Sequence, residues 1–345
     1  MPGKLPSADL DHILRRTRPL WEELHGQRIF VTGGTGFFGC WLLESFAHAN
    51  EQLKLGAEML VLTRDLEKFR RKAPHLAARR DIQFHIGSLR DHFPEGKFSH
   101  VIHAATETVA GPEGENPLET LETIVNGTRN VIGFAARSGA KKFLLTSSGA
   151  VYGVQPSEMT HIVEDYSGAP DVSLPRSTYG EGKRMAELLC AILCPRHGIE
   201  AKIARCFAFV GPHLPLDAHF AIGNFIRDAL AGGPIKVNGD GAPFRSYLYA
   251  ADLTAWLWTI LFKGESNRPY NVGSNQALTI AETAAAVAHA FDEKPIVTVA
   301  RKPMPGQPAL RYVPNINRAA SELQLDQWTS LDDAIRATAR WHRTS

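Results

Sequence analysis

Tyr179 and Lys183 stand four residues apart in Thr178-Tyr-Gly-Glu-Gly-Lys183. On a helix that spacing puts both side chains on one face, one turn apart. Upstream, Thr146-Ser147-Ser148 ends a short apolar run. A phenol, an ammonium and a hydroxyl are the parts needed to remove hydride from a secondary alcohol. The alcohol proton needs a base, and a phenol with an ordinary pKa of about 10 is a poor one near neutrality. Closing a gap of about three units takes roughly 4 kcal/mol of preference for the phenolate. An ammonium about 4 Å away supplies on the order of 4 kcal/mol at an effective dielectric of about 20. Lys183 is therefore expected to make Tyr179 a working acid/base, with Ser148 holding the reacting oxygen. Alone, such a pair would read as a surface tyrosine beside a solvated lysine. What precedes it decides otherwise.

Arg28-Ile29-Phe30-Val31 is a short apolar strand, and Trp41, Leu42 and Phe46 have helical spacing. Between them lies Gly33-Gly34-Thr35-Gly36-Phe37-Phe38-Gly39. Strand, glycine turn and helix together predict a dinucleotide pyrophosphate on the helix N-terminus. Gly33 would allow the tight turn, Gly36 the approach of backbone to phosphate, and Gly39 close packing of helix on strand. The spacing is G-x-x-G-x-x-G, not the commoner G-x-G-x-x-G. At the end of the second strand the chain reads Val61-Leu62-Thr63-Arg64-Asp65. An acidic residue at the tip would accept from the adenosine ribose and repel a 2′-phosphate. Thr63 and Arg64 occupy the tip instead, and Arg64 can pair with a 2′-phosphate or stack on adenine. Asp65 complicates the choice, because it could take the ribose role. The expected cofactor is NAD(P), with NADP slightly favoured. Arg70, Arg71 and Lys72 read as a solvated helix face.

Strands and helices must alternate to place these groups. Strands are expected at Arg28–Thr32, Met59–Thr63, Ile82–Ile86, His100–His103, Lys142–Thr146 and Ala201–Arg205, and helices at Gly39–Leu53, Pro117–Ser138 and Thr178–His197. That alternation predicts an α/β fold: a Rossmann-type doubly wound parallel sheet with a smaller, mixed C-terminal substrate lobe. Residues 1–26 read as an N-terminal helical extension. Residues 27–206 read as the dinucleotide-binding domain, with loop 155–176 joining the substrate lobe, and 207–345 as mainly that lobe.

Composition excludes more than it selects. The 345 residues are 44% hydrophobic and 21% charged, with a formal net charge of +2. That balance gives no case for nucleic acid or for a membrane surface. The four cysteines, Cys40, Cys190, Cys194 and Cys206, lack zinc spacing, so no metal is expected. Without a signal-peptide pattern or a membrane-length apolar run, the reading is a cytoplasmic enzyme.

These motifs, in this order, resemble an extended short-chain dehydrogenase/reductase of the NAD-dependent epimerase/dehydratase family, which acts mainly on nucleotide-activated sugars. The likeness runs from about Gln27 to about Trp341. Its landmarks are the glycine turn, His103-Ala104-Ala105, Asn126-Gly127-Thr128-Arg129-Asn130, Ser147-Ser148-Gly149-Ala150-Val151-Tyr152-Gly153, Tyr179/Lys183, Arg205, Gly211-Pro212, Arg245 and Asp252. The resemblance implies cofactor contacts from Gly33, Thr35, Gly36, Phe37, Phe38, Gly39, Thr63, Arg64, Ser88, Leu89, Ala104, Ala105, Thr106, Thr146, Tyr179, Lys183 and Cys206. The family's usual Gly-Asp pair beside adenine is Gly87-Ser88 here. It implies a nucleotide-diphosphate sugar as substrate, held by Ser148, Asn224, Arg245 and Arg311. It also implies a homodimer through a four-helix interface built from Pro117–Ser138 and Thr178–His197.

The sequence also departs from the family. Sugar-nucleotide dehydratases place an Asp-Glu pair after the catalytic hydroxyl residue, where this chain has Gly149 and Ala150. Decarboxylases of nucleotide-linked glucuronic acid carry a glutamate where Ala150 stands, although Tyr179–Arg184 and Asn224-Phe225-Ile226 resemble decarboxylase segments. Ala208 replaces a common asparagine. The expected activity is therefore epimerisation or 4-keto reduction of a nucleotide sugar. Dehydration, decarboxylation and reduction of a non-sugar carbonyl stand as alternatives.

Overall fold

The computed structural model describes residues 3–91, 93–105, 116–218, 220–304, 306 and 308–344. The apolar runs become β1 (Arg28–Thr32), β2 (Glu58–Thr63), β3 (Ile82–Ile86), β4 (His100–His103), β5 (Lys142–Ser148) and β6 (Glu200–Cys206), each within two residues of its expected bounds. Later come β7 (Phe209–Val210), β8 (Ile235–Val237), β9 (Phe244–Arg245), β10 (Leu248–Tyr249), β11 (Pro269–Val272), β12 (Leu278–Thr279), β13 (Val297–Val299) and β14 (Arg311–Tyr312). A seven-stranded sheet has the order β11-β6-β5-β4-β1-β2-β3, every neighbouring pair parallel. The order reverses between β1 and β4, and in such sheets the crevice at that switch takes the ligand. The seventh strand comes from the second half of the chain, so the main sheet extends past residue 206.

Helices cover both faces, as an all-parallel sheet requires. They are α1 (Ser7–Thr17), α2 (Phe37–Leu53), α3 (Leu66–Lys72), α4 (Pro74–Ala77), α5 (Pro117–Ser138), α6 (Thr178–Leu193), α7 (Ala221–Leu230), α8 (Ala250–Lys263), α9 (Ile280–His289), α10 (Asn317–Leu323) and α11 (Leu331–Thr344). α5 and α6 pack together over one face, and α2 and α8 lie over the other. α6 stops four residues short of its expected end because Pro195 cannot continue it; Pro195–His197 forms a tight 3-10 turn. α8 is apolar all round and buried over nearly its whole length, with Trp256 and Trp258 fully enclosed.

The N-terminal extension packs on the body. Trp21 meets Trp258 at 4.6 Å between ring centres. His12 Nε2 lies 2.9 Å from the fully buried Asp252 carboxylate, which also accepts from the backbone N–H of Trp328 and Thr329 at 3.1 and 2.9 Å. The smaller lobe is built around the three-stranded sheet β12-β9-β14. Loop 155–176 meets the segment after β14: Ile162 bridges to Pro314, and the Gln155 side chain accepts from Val313 N at 3.0 Å. Among the described residues no helix is long and apolar enough to cross a membrane, and no group of three or more His, Cys, Asp or Glu is placed to hold a metal.

Removing the Asp252 carboxylate strands its donors in the core. Asp252→Ala is expected to cost on the order of 3 kcal/mol, read as an earlier urea unfolding midpoint. An unchanged midpoint would deny Asp252 its anchoring part.

Candidate active site

The glycine turn is shaped by what glycine lacks. Gly33 has φ 74°, and a Cβ there would strike the Ala104 carbonyl carbon at 2.5 Å. A Cβ on Gly39 would lie 2.2 Å from the Gly34 carbonyl carbon, so Gly39 packs α2 against the turn itself rather than against a strand. Gly34, which the spacing does not single out, has no room either: its Cβ would meet Val61 at 2.6 Å. At Gly36, the N-cap of α2, a Cβ would meet only the Gly33 oxygen, at 3.4 Å, leaving that backbone open to the cleft. A turn whose glycines leave its backbone open under a helix N-terminus fits a pyrophosphate.

A cleft of about 690 Å³ runs from this turn along the strand ends. It brings together most of the expected contacts: Gly33, Thr35, Gly36, Phe37, Phe38, Thr63, Arg64, Ser88, Leu89, Ala104, Ala105, Thr146, Ser148, Tyr179 and Cys206. Gly39 and Lys183 lie beneath its surface rather than on it, and Thr106 falls outside the described residues. Arg90, Glu119, Thr123, Phe207 and Phe220 also line it, and none is expected from the sequence motifs. At the adenosine end the Asp65 carboxylate is engaged: it caps α3, accepting from Lys68 N at 2.8 Å. Thr63, Arg64 and Arg90 remain at that end, with Arg90 held to Thr123 Oγ1 at 3.0 Å.

Tyr179 and Lys183 occupy the first turns of α6, beside the end of β5. Lys183 is buried and donates from Nζ to the Thr146 carbonyl at 2.8 Å; its nitrogen is 6.0 Å from the Tyr179 ring centre. Burial pushes the Tyr179 phenol up to about 12, opposed in part by the Ser148 hydroxyl. Burial pulls the Lys183 ammonium down to about 8. Burial thus holds the Tyr179 phenol in its protonated form at neutral pH, and Lys183 is not among the groups that offset it. An added positive charge in the cleft would favour the phenolate.

The profile of the NAD dependent epimerase/dehydratase family matches residues 29–273. The chain belongs to that enzyme family. UDP-glucuronic acid decarboxylase 1 of Arabidopsis thaliana is 32% identical over 311 residues, which are 89% of this chain and 68% of the relative. UDP-glucuronic acid decarboxylase 6 of the same plant is 33% identical over 266 residues, 75% of this chain and 73% of the relative. Among solved structures, the Bacillus cereus UDP-glucuronic acid 4-epimerase, in complex with UDP-glucuronic acid and NAD, aligns with TM-score 0.74 at 20% identity. That alignment covers 92% of this chain and 99% of the epimerase. The Thermus thermophilus UDP-glucose 4-epimerase complex with NAD gives 0.75 at 24% identity over the same shares. The two structures share the fold.

Aromatic rings fill the space beside Ser148 and Gly149. A Cβ on Gly149 would stand 2.7 Å from the Phe207 ring, so that ring takes the room a carboxylate side chain would need. Phe207 packs on Tyr312, ring centres 4.7 Å apart. The Tyr312 phenol lies 3.5 Å from both Ser148 Oγ and the Cys206 carbonyl, longer than a normal O–H···O bond of roughly 2.5–3.0 Å. Burial and the neighbouring Tyr179 keep it protonated, a donor without a close acceptor. Sequence reasoning misses Tyr312 because its link to Ser148 spans 164 residues.

The expected substrate groups separate. Arg245 and Tyr312 are register partners on parallel strands and share a face, the guanidinium 5.8 Å from the ring centre. Arg311 pairs with Phe244 on the opposite face and stacks on its ring at 4.0 Å; Arg245, Tyr312 and Arg311 all lie off the cleft lining. Asn224 Oδ1 accepts from Arg227 at 3.1 Å and also lies off that lining. Arg205 is a brace: it chelates Glu187, 2.7 Å at the closest, and donates to the Tyr152 phenol at 2.9 Å.

Lys183 gives the site a pH signature. Its folded pKa of about 8 lies below its ordinary value of 10.5, so between those values the unfolded chain binds more protons. The buried charge costs stability below pH 8, on the order of 3 kcal/mol, and that cost is relieved as pH rises to about 10.5. Lys183→Met should therefore unfold at higher urea than wild type at pH 7, with the gap closing by about pH 10.5. A gap independent of pH would contradict the shift.

Proposed function

We propose that the chain binds NAD(P) in the cleft, oxidises C4 of a UDP-hexuronate and releases its carboxyl group as carbon dioxide. The cofactor's chemistry is to accept and return hydride at the sugar carbon. Tyr179 exchanges the proton of the reacting hydroxyl, Lys183 holds it in place through Thr146, and Ser148 positions the oxygen. What carries this reading is the likeness to UDP-glucuronic acid decarboxylases over most of the chain, while the Phe207 ring over Gly149 argues against dehydration. With that room filled, the site lacks the carboxylate pair that elimination of water demands.

Residue types alone group decarboxylation with dehydration, as reactions short of an acid. Their chemistry separates them. A carboxylate β to a ketone loses carbon dioxide without a base: the C5–C6 electron pair moves into the C4 carbonyl. The enolate oxygen then needs donors, and Ser148 and protonated Tyr179 supply them, while C5 takes a proton from water in place of the lost carboxyl group. Tyr312 is a further donor beside Ser148 for the substrate's oxygens. The curated relatives, UDP-glucuronic acid decarboxylases over most of this chain, support this over epimerisation. C4 epimerisation is the second reading, favoured by the same want of carboxylates. Arg245 suits the substrate's diphosphate, a bidentate target for its guanidinium.

Incubation with UDP-glucuronic acid and NAD or NADP, followed by NMR, should show a product one carbon shorter with carbon dioxide released. Inversion at C4 with all six sugar carbons retained would establish the epimerase reading instead. Tyr179→Phe should cut turnover on the order of 10²–10⁴-fold; near wild-type turnover would remove Tyr179 from the mechanism.

For the cofactor, Asp65's commitment to α3 supports NADP, as do Arg64 and Arg90 at the cleft end. Arg64→Ala should weaken NADP binding by about 1.5–3 kcal/mol and NAD binding little. Equal losses by calorimetry would defeat the preference.

We also propose a homodimer through α5 and α6. Leu121, Met185, Leu188 and Ile192 are exposed there, whereas Val131 lies in the core and Leu189 packs against it. Leu188→Glu should turn a dimeric mass in light scattering into a monomeric one, and a monomeric wild type would refute the interface.

A further inference from the structure

A second cleft, of about 520 Å³, opens beside the glycine turn. Its walls come from distant segments: Gly3 of the extension, the end of α3, the loop after β7, and α7 with α11. These walls are locked. A Cβ on Gly3, at φ 80°, would collide with the Lys72 carbonyl at 2.4 Å. Trp341 Nε1 donates to the Lys4 carbonyl at 3.0 Å.

His213 sits in this cleft at two costs. It holds a left-handed backbone, φ 67°, which a non-glycine residue rarely adopts. The residue is 6% exposed, and neither ring nitrogen has a hydrogen-bond partner. The neighbouring His342 Nε2 is also without one. The Gly3 and Leu214 backbones favour the charged forms of His213 and His342 without reaching hydrogen-bond geometry. Strain and orphaned polar atoms at one residue mark a site held open for something that satisfies them.

The rim names the charge of that something. Arg71, Lys72 and Arg227 line the cleft against one carboxylate, Asp217. Lys72 also donates to the Thr35 carbonyl of the glycine turn at 3.0 Å, and Arg227 pairs with Asp228 at 2.9 Å. Burial pulls His213 down to about 3, so its ring is neutral and presents one N–H and one acceptor nitrogen. Hydrogen phosphate offers the matching pair, acceptor oxygens and an O–H, with charge for the guanidinium groups.

We propose that this cleft binds a small phosphate-bearing anion, with His213 at its floor and Arg71 and Arg227 at its rim. Leu214 and Pro215 line both this cleft and the cofactor cleft, which links the two sites physically. The site is independent of which sugar nucleotide the enzyme converts.

The test titrates the full chain with inorganic phosphate, following histidine imidazole signals by NMR and binding by calorimetry. Saturable shifts of the His213 signal are expected, with affinity falling about tenfold in Arg71→Ala and in Arg227→Ala. His213→Phe removes the orphaned polar atoms and should lose the phosphate-induced rise in Tm, read against its own phosphate-free Tm because the left-handed backbone strains a phenylalanine. An unmoved His213 signal would overturn the proposal. So would equal phosphate affinity in all the variants, which would place the ion at the glycine turn. A destabilised His213→Phe that keeps the rise in Tm would overturn it too, by showing a structural histidine.

Discussion

The buried ammonium of Lys183 is the constraint around which the catalytic end is arranged. A charge held under the cleft must find an acceptor, and the nearest strand end offers the Thr146 carbonyl. That bond fixes the rotation of α6 against β5 and so aims Tyr179 at the cleft. The backbone carbonyls of a parallel strand are already used by the sheet, and the ladder loosens only at the C-terminal ends of strands. Lysine, phenol and serine therefore meet where the sheet stops. The same burial that positions them leaves Tyr179 protonated, and the chemistry waits for the positive charge that an oxidised nicotinamide brings.

Around that point polar contacts tie the ends of the central strands to α6. Arg205 on β6 reaches Glu187 on α6 and Tyr152 after β5, and Tyr152 in turn donates to Asn271 on β11 at 2.7 Å. Glu187 also accepts from Ser147. The chelated guanidinium keeps the ends of β5 and β6 square to each other, so Ser148 and Cys206 present their backbones at a fixed separation. Phe207, leaving β6, can then lie over Gly149. Glycine at 149 and phenylalanine at 207 are one choice made at two positions.

Local rules make the sheet and the glycine turn legible. The i, i+4 spacing of Tyr179 and Lys183 and the turn from Gly33 to Gly39 are short-range patterns, and the structure keeps their geometry. Distance in the chain hides the rest. Tyr312 reaches Ser148 through a strand of two residues, too short for its alternation to be read, and the more conspicuous Arg311 beside it faces the other way. Arg90 and Phe220 enter the cleft from loops whose paths depend on tertiary packing. The sign of Tyr179's shift is also beyond the sequence. Coulomb attraction can be estimated from spacing, but desolvation depends on what covers the ring.

The position of β11 at the sheet edge has a consequence for how this chain comes off the ribosome. β6 is paired on one side by β5 and on the other only by β11, which ends at Val272. Until those residues emerge, the nascent chain carries a strand with one open edge, and the charges of Glu200, Lys202 and Arg205 disfavour its pairing with another chain. α1 is in the same position, because its docking helix α8 begins at Ala250. α1 can pack on α2 early but is fully seated only once α8 has been made, so closure of this part of the core is a late event in synthesis.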